Sequence, residues 1–259
     1  MTELRFLWRA LSYRWHRNRA EISAIRRYVR EGDHVVDIGC HKGGFLYWLR
    51  RYAGAAGHVY AFEPQQRLAS YLRRIIRDQH WTNVTLEPVA VSSAPGSMDL
   101  LVPAAEGHSS PGASLSPASV TGSHHRQAVS VVTLDQYFER GQRIACIKCD
   151  CEGHELEVFQ GAEQILRRDR PVLLFECEAR HMSGRVPADV FAYLQSLGYR
   201  GSFFSPAGVQ SIERFTLGAH QPVREGRFWQ APDYCNNFLF VADNESSAIA
   251  VRLGRSKIG

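Results

Sequence analysis

An apolar segment that ends in a glycine-rich turn, near the start of the chain, constrains the fold more than any other feature. Residues 34–38, His-Val-Val-Asp-Ile, have the length and composition of a short buried strand. Gly39, Gly43 and Gly44 follow, and an amphipathic segment over residues 45–52 comes directly after them. This order predicts a strand, a turn where a ligand can approach the backbone closely, and a helix whose N-terminus favours negative charge.

The spacing of these glycines distinguishes two classes of cofactor site. It reads Gly-x-x-x-Gly-Gly, so it does not meet the Gly-x-Gly-x-x-Gly fingerprint of dinucleotide-binding folds. It fits the first turn of an S-adenosylmethionine (SAM) site better, where Asp37 can accept hydrogen bonds from an ammonium group or from the N–H groups of the turn. A purely structural turn explains the same residues, so the motif alone leaves both interpretations open.

Composition and cysteine usage are those of a globular domain in a reducing compartment. The 259 residues are 44% hydrophobic and 22% charged, and no apolar run approaches the roughly 18 residues of a membrane span. Arginines interrupt the first nineteen residues, which argues against a signal peptide. Most of the six cysteines lie in apolar segments, and the spacing of Cys149, Cys151, His154 and Cys177 does not fit a zinc site. We expect a cytoplasmic protein.

The positive charge of the chain is concentrated at its start. The formal net charge is +5, and the first thirty residues contain Arg5, Arg9, Arg14, Arg17, Arg19, Arg26, Arg27 and Arg30. Leu4, Phe6, Leu7, Leu11 and Trp15 give the same segment a partly apolar face. A solvated surface, docking on its own domain or on a second subunit, and contact with a membrane surface or an acidic substrate all remain open. No nucleic-acid-binding motif accompanies it, so we expect no nucleic-acid partner.

Apolar segments alternate with amphipathic ones, which predicts an α/β fold with a mostly parallel sheet covered by helices on both faces. The last two predicted strands, separated by an irregular segment over 206–236, suggest an antiparallel hairpin at one edge. We predict helices within 1–30 and over 66–79, 153–167 and 187–197, and strands over 34–38, 58–63, 84–91, 97–102, 129–132, 144–150, 172–178, 199–204 and 237–242.

Three regions follow from this pattern. Residues 1–31 form a basic helical extension, residues 32–243 form the main domain, and residues 244–259 form a tail. Within the domain, residues 103–127 are rich in Pro, Gly and Ser and have the length of an active-site lid. We expect this loop, the N-terminal helices and segment 206–236 to shape the substrate pocket.

Acidic residues recur at the ends of the predicted strands. They are Asp37, Glu63, Asp150, Glu176 and Glu178. Since the carboxyl ends of parallel strands meet at one edge of a sheet, we expect these carboxylates to converge there, where such folds bind ligands. An acid at the position of Glu63 can accept both ribose hydroxyls of a nucleoside cofactor, and the turn at Val89-Ala90 would lie against its adenine.

Several of these residues also carry a family resemblance. Val36-Asp37-Ile38-Gly39 with Gly43, Glu63-Pro64, Ala90-Val91-Ser92, Thr133-Leu134-Asp135 and, most specifically, residues 147–155 (Ile-Lys-Cys-Asp-Cys-Glu-Gly-His-Glu) resemble motifs of the FkbM-type family of SAM-dependent methyltransferases, over roughly residues 32–242. The resemblance implies a class I methyltransferase fold, Rossmann-like with a seven-stranded sheet, that uses SAM, usually with an oxygen acceptor. The implied cofactor-binding residues are Asp37, Gly39, Cys40, Gly43, Glu63, Pro64, Val89 and Ala90. Cys40-His41-Lys42 replaces the Ala-Asn that the family usually has after the first glycine.

Methyl transfer to an aliphatic hydroxyl needs help in removing the proton of that hydroxyl. His154, four residues after Asp150, is the candidate general base, with Asp150 and Lys148 as further catalytic candidates. Alternatively, His154 bonds a carboxylate for packing and Lys148 only neutralises Asp150 or Glu176. Asp150, Glu176 and Glu178 are also candidate ligands for Mg²⁺, although Glu178 can instead pair with Arg180 or Lys148.

The sequence thus predicts a SAM-dependent methyltransferase acting on a hydroxyl of a sugar or secondary metabolite, that is, on a small-molecule or glycan acceptor. One alternative is a non-catalytic scaffold that binds SAM or docks on a membrane, and whose basic N-terminus carries the function. A nucleotide-cofactor oxidoreductase is a weaker alternative, because neither the dinucleotide fingerprint nor a Tyr-x-x-x-Lys pair is present. A homo-oligomer remains open.

Overall fold

The computed structural model describes residues 3–104, 113–115, 123–139, 141–182 and 184–243. Within them the strands, in chain order, are β1 (His34–Ile38), β2 (His58–Phe62), β3 (Val84–Glu87), β4 (Ala90–Val91), β5 (Gly96–Pro103), β6 (His124–Val132), β7 (Cys146–Cys149), β8 (Val172–Glu176), β9 (Tyr199–Ser205), β10 (Gly208–Ser211) and β11 (Asn237–Ala242). The α-helices are α1 (Glu3–Ser12), α2 (Arg19–Tyr28), α3 (Gly44–Ala53), α4 (Gln66–Asp78), α5 (Leu134–Tyr137), α6 (Glu155–Gln160), α7 (Glu163–Asp169), α8 (Pro187–Ser196) and α9 (Leu217–His220).

The main sheet has eight strands in the order β10-β9-β11-β8-β7-β1-β2-β3. Strands β3, β2, β1, β7 and β8 run parallel to one another, whereas β11, β9 and β10 pair antiparallel. The carboxyl ends of β1, β2, β7 and β8 therefore lie along one edge of the sheet. A second, three-stranded sheet has the order β4-β6-β5.

Each face of the main sheet carries its own apolar core. Successive strand residues point to opposite faces, so Val35 packs with Ile22, Leu46 and Leu72 of α2, α3 and α4. Val36 packs on the other face with the cluster that contains α6, α7 and α8. Burial on both faces explains why β1 reads as a continuous apolar run rather than as an alternating one.

The N-terminal helices pack onto the domain. Phe6 of α1 and Ile22 of α2 are almost fully buried within the core of the α3 face. The indole Nε1 of Trp48 donates to the carbonyl oxygen of Ala10 at 2.7 Å. A five-residue π-helical turn, Tyr13–Arg17, joins the two helices, and it brings Tyr13 against Gly44, where a Cβ would overlap the tyrosine ring. The N-terminal helices and the turn between them therefore form one wall of the space above α3.

The predicted α/β architecture is confirmed, with three differences in detail. The sheet has eight strands rather than seven, because β10 pairs with β9 inside the segment expected to be irregular. The strand predicted over 84–91 is divided between the two sheets as β3 and β4. The helix predicted over 153–167 is divided at Gly161-Ala162, because Gly161 packs against the backbone of Ser92 so closely that a Cβ would overlap it.

Parts of the predicted lid and tail lie outside the described residues, namely 105–112, 116–122 and 244–259. The described ends of the lid continue β5 and β6, and Ser114 forms a bridge with Leu101. All six cysteines are free. No helix in the described ranges is both long and apolar enough to cross a membrane.

Candidate active site

The turn after β1 lies against the backbone that follows β7. Gly39 has φ 71°, and its N–H donates to the carbonyl oxygen of Phe62 at 2.9 Å. A Cβ at Gly39 would overlap the carbonyl oxygen of Asp150. Only glycine satisfies both the left-handed conformation and this close approach, so the turn joins the ends of β1, β2 and β7 without side-chain bulk.

Glu63 is held at this edge by two backbone hydrogen bonds. Its Oε2 accepts from the N–H of His41 at 2.8 Å, and its Oε1 accepts from the N–H of Gln65 at 2.9 Å. The side chain is buried, and burial raises the pKa of Glu63 to about 7 although the two N–H groups lower it. Asp37 and Asp150 raise this pKa further. Thus the three acids predicted at separate strand ends are near enough to influence one another.

A cavity of about 480 Å³ opens beside Glu63. The sequence-predicted residues that line it are Gly39, Glu63, Pro64, Val89, Ala90, Asp150 and His154. The other lining residues include Trp8, Arg9, Ser12 and Tyr13 from the N-terminal segment, His41 and Lys42 from the glycine turn, and Ser114 and Leu115 from the described part of the predicted lid. The cavity therefore combines the predicted cofactor residues with parts of the chain that carry no motif.

A smaller cavity of about 170 Å³ adjoins the first and shares Tyr13, Gly39, His41 and Asp150 with it. Its further lining residues include Asp37, Cys40, Lys148 and Glu176. Because Gly39 and Asp150 line both spaces, the turn separates them as a common wall.

Asp37 and Lys148 lie side by side as register partners on β1 and β7. Asp37 is buried, and its Oδ2 has no hydrogen-bond partner among the described residues. Burial raises the pKa of Asp37 to about 7, and the charge of Lys148 opposes that rise. The Lys148 ammonium is also buried and donates to the carbonyl oxygen of Cys149 at 3.1 Å. Burial lowers the pKa of Lys148, but the charges of Asp150 and Glu176 outweigh this and raise it.

Gly43 has a packing role in this structure. It precedes α3 with φ 77° and lines neither cavity. A Cβ there would lie 2.9 Å from Leu72 Cδ2 and 2.9 Å from Phe6 Cε2. Gly43 therefore lets the N-terminal helix and α4 close over the start of α3.

His154 lines the larger cavity, where its Nε2 lies 2.8 Å from the Oγ of Ser92. Its Nδ1 is 3.7 Å from Glu157 Oε2, an ion pair only if the ring is protonated. Burial lowers the pKa of His154, with Glu157 opposing the shift. The ring is therefore neutral near pH 7, and one of its nitrogens keeps a lone pair.

The candidate Mg²⁺ ligands are arranged differently from the prediction. Glu178 pairs through both oxygens with Arg180, at 2.5 and 3.0 Å, which is the alternative that the sequence left open. The Nδ2 of Asn236 donates to Glu176 at 2.8 Å and to Glu178 at 3.1 Å. Among the residues that the structure describes, no group of three or more His, Cys, Asp or Glu side chains is placed to hold a metal ion. The predicted Asp150–Glu176–Glu178 site is not supported.

His41 is one of the site residues that sequence reasoning missed. It has φ 47°, a left-handed conformation that Asn and His adopt more readily than most residues. Its ring lines both cavities, and its buried Nε2 has no partner among the described residues. Burial, followed by the charges of Lys42 and Arg9, lowers the pKa of His41 to about 4. The departure from Ala-Asn at residues 40–42 was the available signal.

Comparison with known proteins places this geometry in a family. Residues 37–200 match the family model described as the methyltransferase FkbM domain, which is more than half of the chain. The chain belongs to the FkbM methyltransferase family. No curated protein matches it significantly.

Several solved structures are similar to this chain, and one of them is itself named as an FkbM methyltransferase. Methyltransferase FkbM from Methylobacillus flagellatus KT matches 90% of this chain at 16% identity with a TM-score of 0.51, and this chain spans 53% of that protein. An rRNA methylase from Streptococcus thermophilus aligns with 86% of this chain and over 93% of its own length, at 12% identity and with a TM-score of 0.49. Aeropyrum pernix fibrillarin, in complex with SAM, aligns with 83% of this chain and over 68% of its own length, at 14% identity and with a TM-score of 0.46. The predicted class I methyltransferase fold is confirmed by the family and by the FkbM structure.

The residues present fit SAM, the methyl donor that the sequence predicts. The unsatisfied Oδ2 of Asp37 is a buried acceptor suited to an ammonium group. Glu63 presents a fixed carboxylate beside the larger cavity. Gly39 lines both cavities, and its lack of a side chain leaves its backbone open to a ligand that contacts both acids.

Proposed function

We propose that this FkbM methyltransferase transfers the methyl group of SAM to a hydroxyl oxygen of a small-molecule or glycan acceptor, such as a sugar or a secondary metabolite. One observation carries the proposal: a single cavity is lined both by the fixed carboxylate of Glu63 and by the neutral imidazole of His154. Cofactor binding and proton removal can therefore take place in the same cavity.

Bound SAM supplies an electrophilic methyl group on a sulfonium. The chain must hold the cofactor, exclude water and orient the acceptor for in-line attack. In the proposed site Glu63 accepts the ribose hydroxyls, and its two backbone hydrogen bonds fix the direction of its oxygens beforehand. Asp37 accepts from the amino group of the methionine part. Cys40, Pro64, Val89 and Ala90 complete the walls, and Gly43 acts through the packing of α3.

His154 is the proposed general base. An aliphatic hydroxyl is a weak nucleophile until its proton is removed, and a neutral imidazole can remove it near pH 7. In the proposed tautomer Nε2–H donates to Ser92 Oγ, 2.8 Å away, which holds the orientation of the ring and leaves the lone pair of Nδ1 to take the proton. Asp150, which lines both cavities, is proposed to position the turn. Lys148 lines only the smaller cavity and is proposed to balance the charges of Asp37, Asp150 and Glu176 rather than to touch the acceptor.

The test measures cofactor binding and turnover separately. Calorimetry with S-adenosylhomocysteine (SAH) reports binding, and transfer of tritium from methyl-labelled SAM to pools of sugars and secondary metabolites reports turnover. We expect the wild type to label an acceptor that loses the label only under conditions that cleave methyl ethers. His154→Ala should bind SAH normally and transfer at least about a hundredfold more slowly.

The matched control is His80→Asn, since His80 is exposed, lines neither cavity and has φ 50°, which asparagine tolerates. It should keep full activity. Binding of SAH without turnover on any pool would contradict the enzymatic proposal and favour a SAM-binding scaffold. Label that survives as methyl on nitrogen or carbon would contradict an oxygen acceptor.

A further inference from the structure

Four large apolar side chains form an exposed stripe along the N-terminal segment. Leu4, Trp8 and Leu11 follow one another at spacings of four and three, which places them on one side of α1, and Trp15 lies in the π-helical turn that follows. Their exposed fractions are 79%, 72%, 44% and 62%. The other large hydrophobic residues exposed in the described part of the chain, Val186, Val209 and Val223, lie far from this segment in sequence and are not adjacent to one another in it. We call the four residues the apolar stripe.

The opposite side of the same helix is fixed to the domain. Phe6 and Ala10 are buried, and the carbonyl oxygen of Ala10 accepts from Trp48 at 2.7 Å. In the π-helical turn that follows α1, the guanidinium of Arg14 donates to the hydroxyl of Tyr52 at 2.8 Å. Because these contacts hold the inner face, the helix cannot rotate to bury the stripe in its own core. The stripe is a permanent outward surface.

The segment that carries the stripe is strongly basic. The first thirty residues contain eight arginines against two glutamates, an excess of six, whereas the whole chain has a net charge of +5. The positive charge of the protein therefore resides entirely in this segment. One of the two glutamates, Glu21, is buried, while Arg5, Arg19 and Arg26 are exposed. Such a surface attracts an anionic partner.

We propose that the apolar stripe docks on the surface of an anionic lipid bilayer, with Leu and Trp side chains entering the headgroup region and the arginines contacting lipid phosphates. Tryptophan and leucine beside arginine are the composition of helices that lie in this interface. Four side chains are a small area for a stable protein–protein interface, which usually buries about 800 Å² on each partner. RNA would use the arginines but leave the leucines exposed.

The position of Trp8 connects this surface to the active site. Trp8 belongs to the stripe and also lines the larger cavity, together with Arg9 of the same helix. Docking therefore brings the cavity to the lipid–water interface. On the proposed function, the acceptor is then a hydroxyl-bearing molecule attached to lipid or collected at that surface.

The test is sedimentation of the full chain with vesicles of phosphatidylcholine alone and of equimolar phosphatidylcholine and phosphatidylglycerol. We expect binding to the anionic vesicles, weaker binding at high salt, and little binding to phosphatidylcholine alone. The variant Leu4→Gln/Leu11→Gln/Trp15→Gln removes three exposed residues and leaves the cavity residue Trp8 in place. It should bind anionic vesicles at least about tenfold more weakly and bind SAH as the wild type does, which shows that it is folded.

The matched control is Val209→Gln/Val223→Gln, which removes two comparably exposed apolar residues elsewhere and should bind vesicles normally. Equal binding by wild type and the triple variant, or no binding to anionic vesicles, would overturn the proposal. A wild-type dimer that the triple variant converts to a monomer would assign the stripe to a second copy of the chain. Displacement of the protein from vesicles by transfer RNA, with tight RNA binding that the triple variant retains, would assign the segment to nucleic acid. These readouts do not require turnover, so they are independent of the proposed acceptor.

Discussion

Gly39 and Asp150 meet backbone to backbone, so closely that a Cβ on Gly39 would overlap the carbonyl oxygen of Asp150. This contact ties the turn after β1 to the residue after β7, and both residues line the two cavities. The glycine turn and the strongest family motif therefore form one structural unit, although more than a hundred residues separate them in sequence.

The substitution Gly39→Ala tests this contact. The alanine Cβ would overlap the backbone of Asp150, which would have to move. The alanine would also have to adopt a left-handed backbone conformation, which itself costs about 1–2 kcal/mol. We expect a clear loss of thermal stability and no measurable SAH binding by calorimetry. Gly218→Ala is the control, because nothing lies within 4 Å of a Cβ there and φ is not positive. A Gly39→Ala protein that melts and binds like the wild type would contradict the contact.

Glu63→Gln tests the fixed carboxylate. Both oxygens of Glu63 accept backbone N–H groups, but a glutamine can offer an oxygen to only one of them and must turn its NH₂ toward the other donor. We expect SAH affinity to fall by about ten- to a hundredfold, from a loss of about 1.5–3 kcal/mol, measured as a reduced thermal shift on titration. Glu87→Gln, which replaces a carboxylate that accepts from Tyr137 outside the cavity, should not change the affinity.

Stability of the cofactor-free protein should fall as pH rises from about 4.5 to about 7 and should level off above that range. Burial raises the pKa of Asp37, Glu63 and Glu155 to about 7, and that of Asp150 to about 6. The folded chain then holds protons that the unfolded chain has already released, so raising the pH favours unfolding by about 1.4 kcal/mol per pH unit for each proton. Thermal melts at constant ionic strength measure the slope. Glu63→Gln should flatten it; a slope of opposite sign would contradict the buried cluster.

His41→Asn should make the protein less sensitive to acid. The pKa of His41 is lowered to about 4, so between pH 6.5 and 4 the unfolded chain binds a proton there that the folded chain excludes. This residue therefore costs stability as the pH falls through that range. Asparagine tolerates the left-handed backbone of His41 and does not titrate. The measurement is the melting temperature of the variant minus that of the wild type, taken at pH 7 and again at pH 5. We expect this difference to be more positive at pH 5. The same difference at both pH values would contradict a buried, neutral His41 ring.

Ser92→Ala separates positioning of His154 from catalysis by it. Ser92 contacts Nε2 but does not line the cavity, so its loss should lower kcat by about tenfold, leave the KM for SAM unchanged, and shift the acid limb of the pH–rate profile. Ser92→Thr, which keeps the hydroxyl, should restore part of the rate. A Ser92→Ala enzyme with a wild-type pH profile would mean that Ser92 does not orient the ring.

Local patterns predicted the elements around the glycine turn well. The bounds of β1 are those that the apolar run His34–Ile38 gives, because its burial on both faces and the glycines after it are signals within the segment itself. The break between α6 and α7 could not be predicted, since it depends on a close approach of Gly161 to Ser92, which lies 69 residues away in sequence.

In the candidate site, too, some residues could be predicted from the sequence and others could not. Glu63 and Asp150 could be placed because parallel strands end at one edge. The sequence predicted that the N-terminal helices shape the pocket, but not that Trp8, Arg9 and Tyr13 line the cavity. Their positions depend on Phe6 and Ile22 docking these helices into the core, which no motif records. The metal prediction for Glu178 was not supported because proximity to strand ends says nothing about competition from Arg180.

The most direct test of the account is a crystal structure of the full chain with SAH. The account predicts the nucleoside in the larger cavity with its ribose hydroxyls on Glu63, and the amino group across Gly39 on Asp37. A nucleoside bound elsewhere, or a Glu63 that contacts only the backbone of His41 and Gln65 while SAH occupies another site, would contradict it.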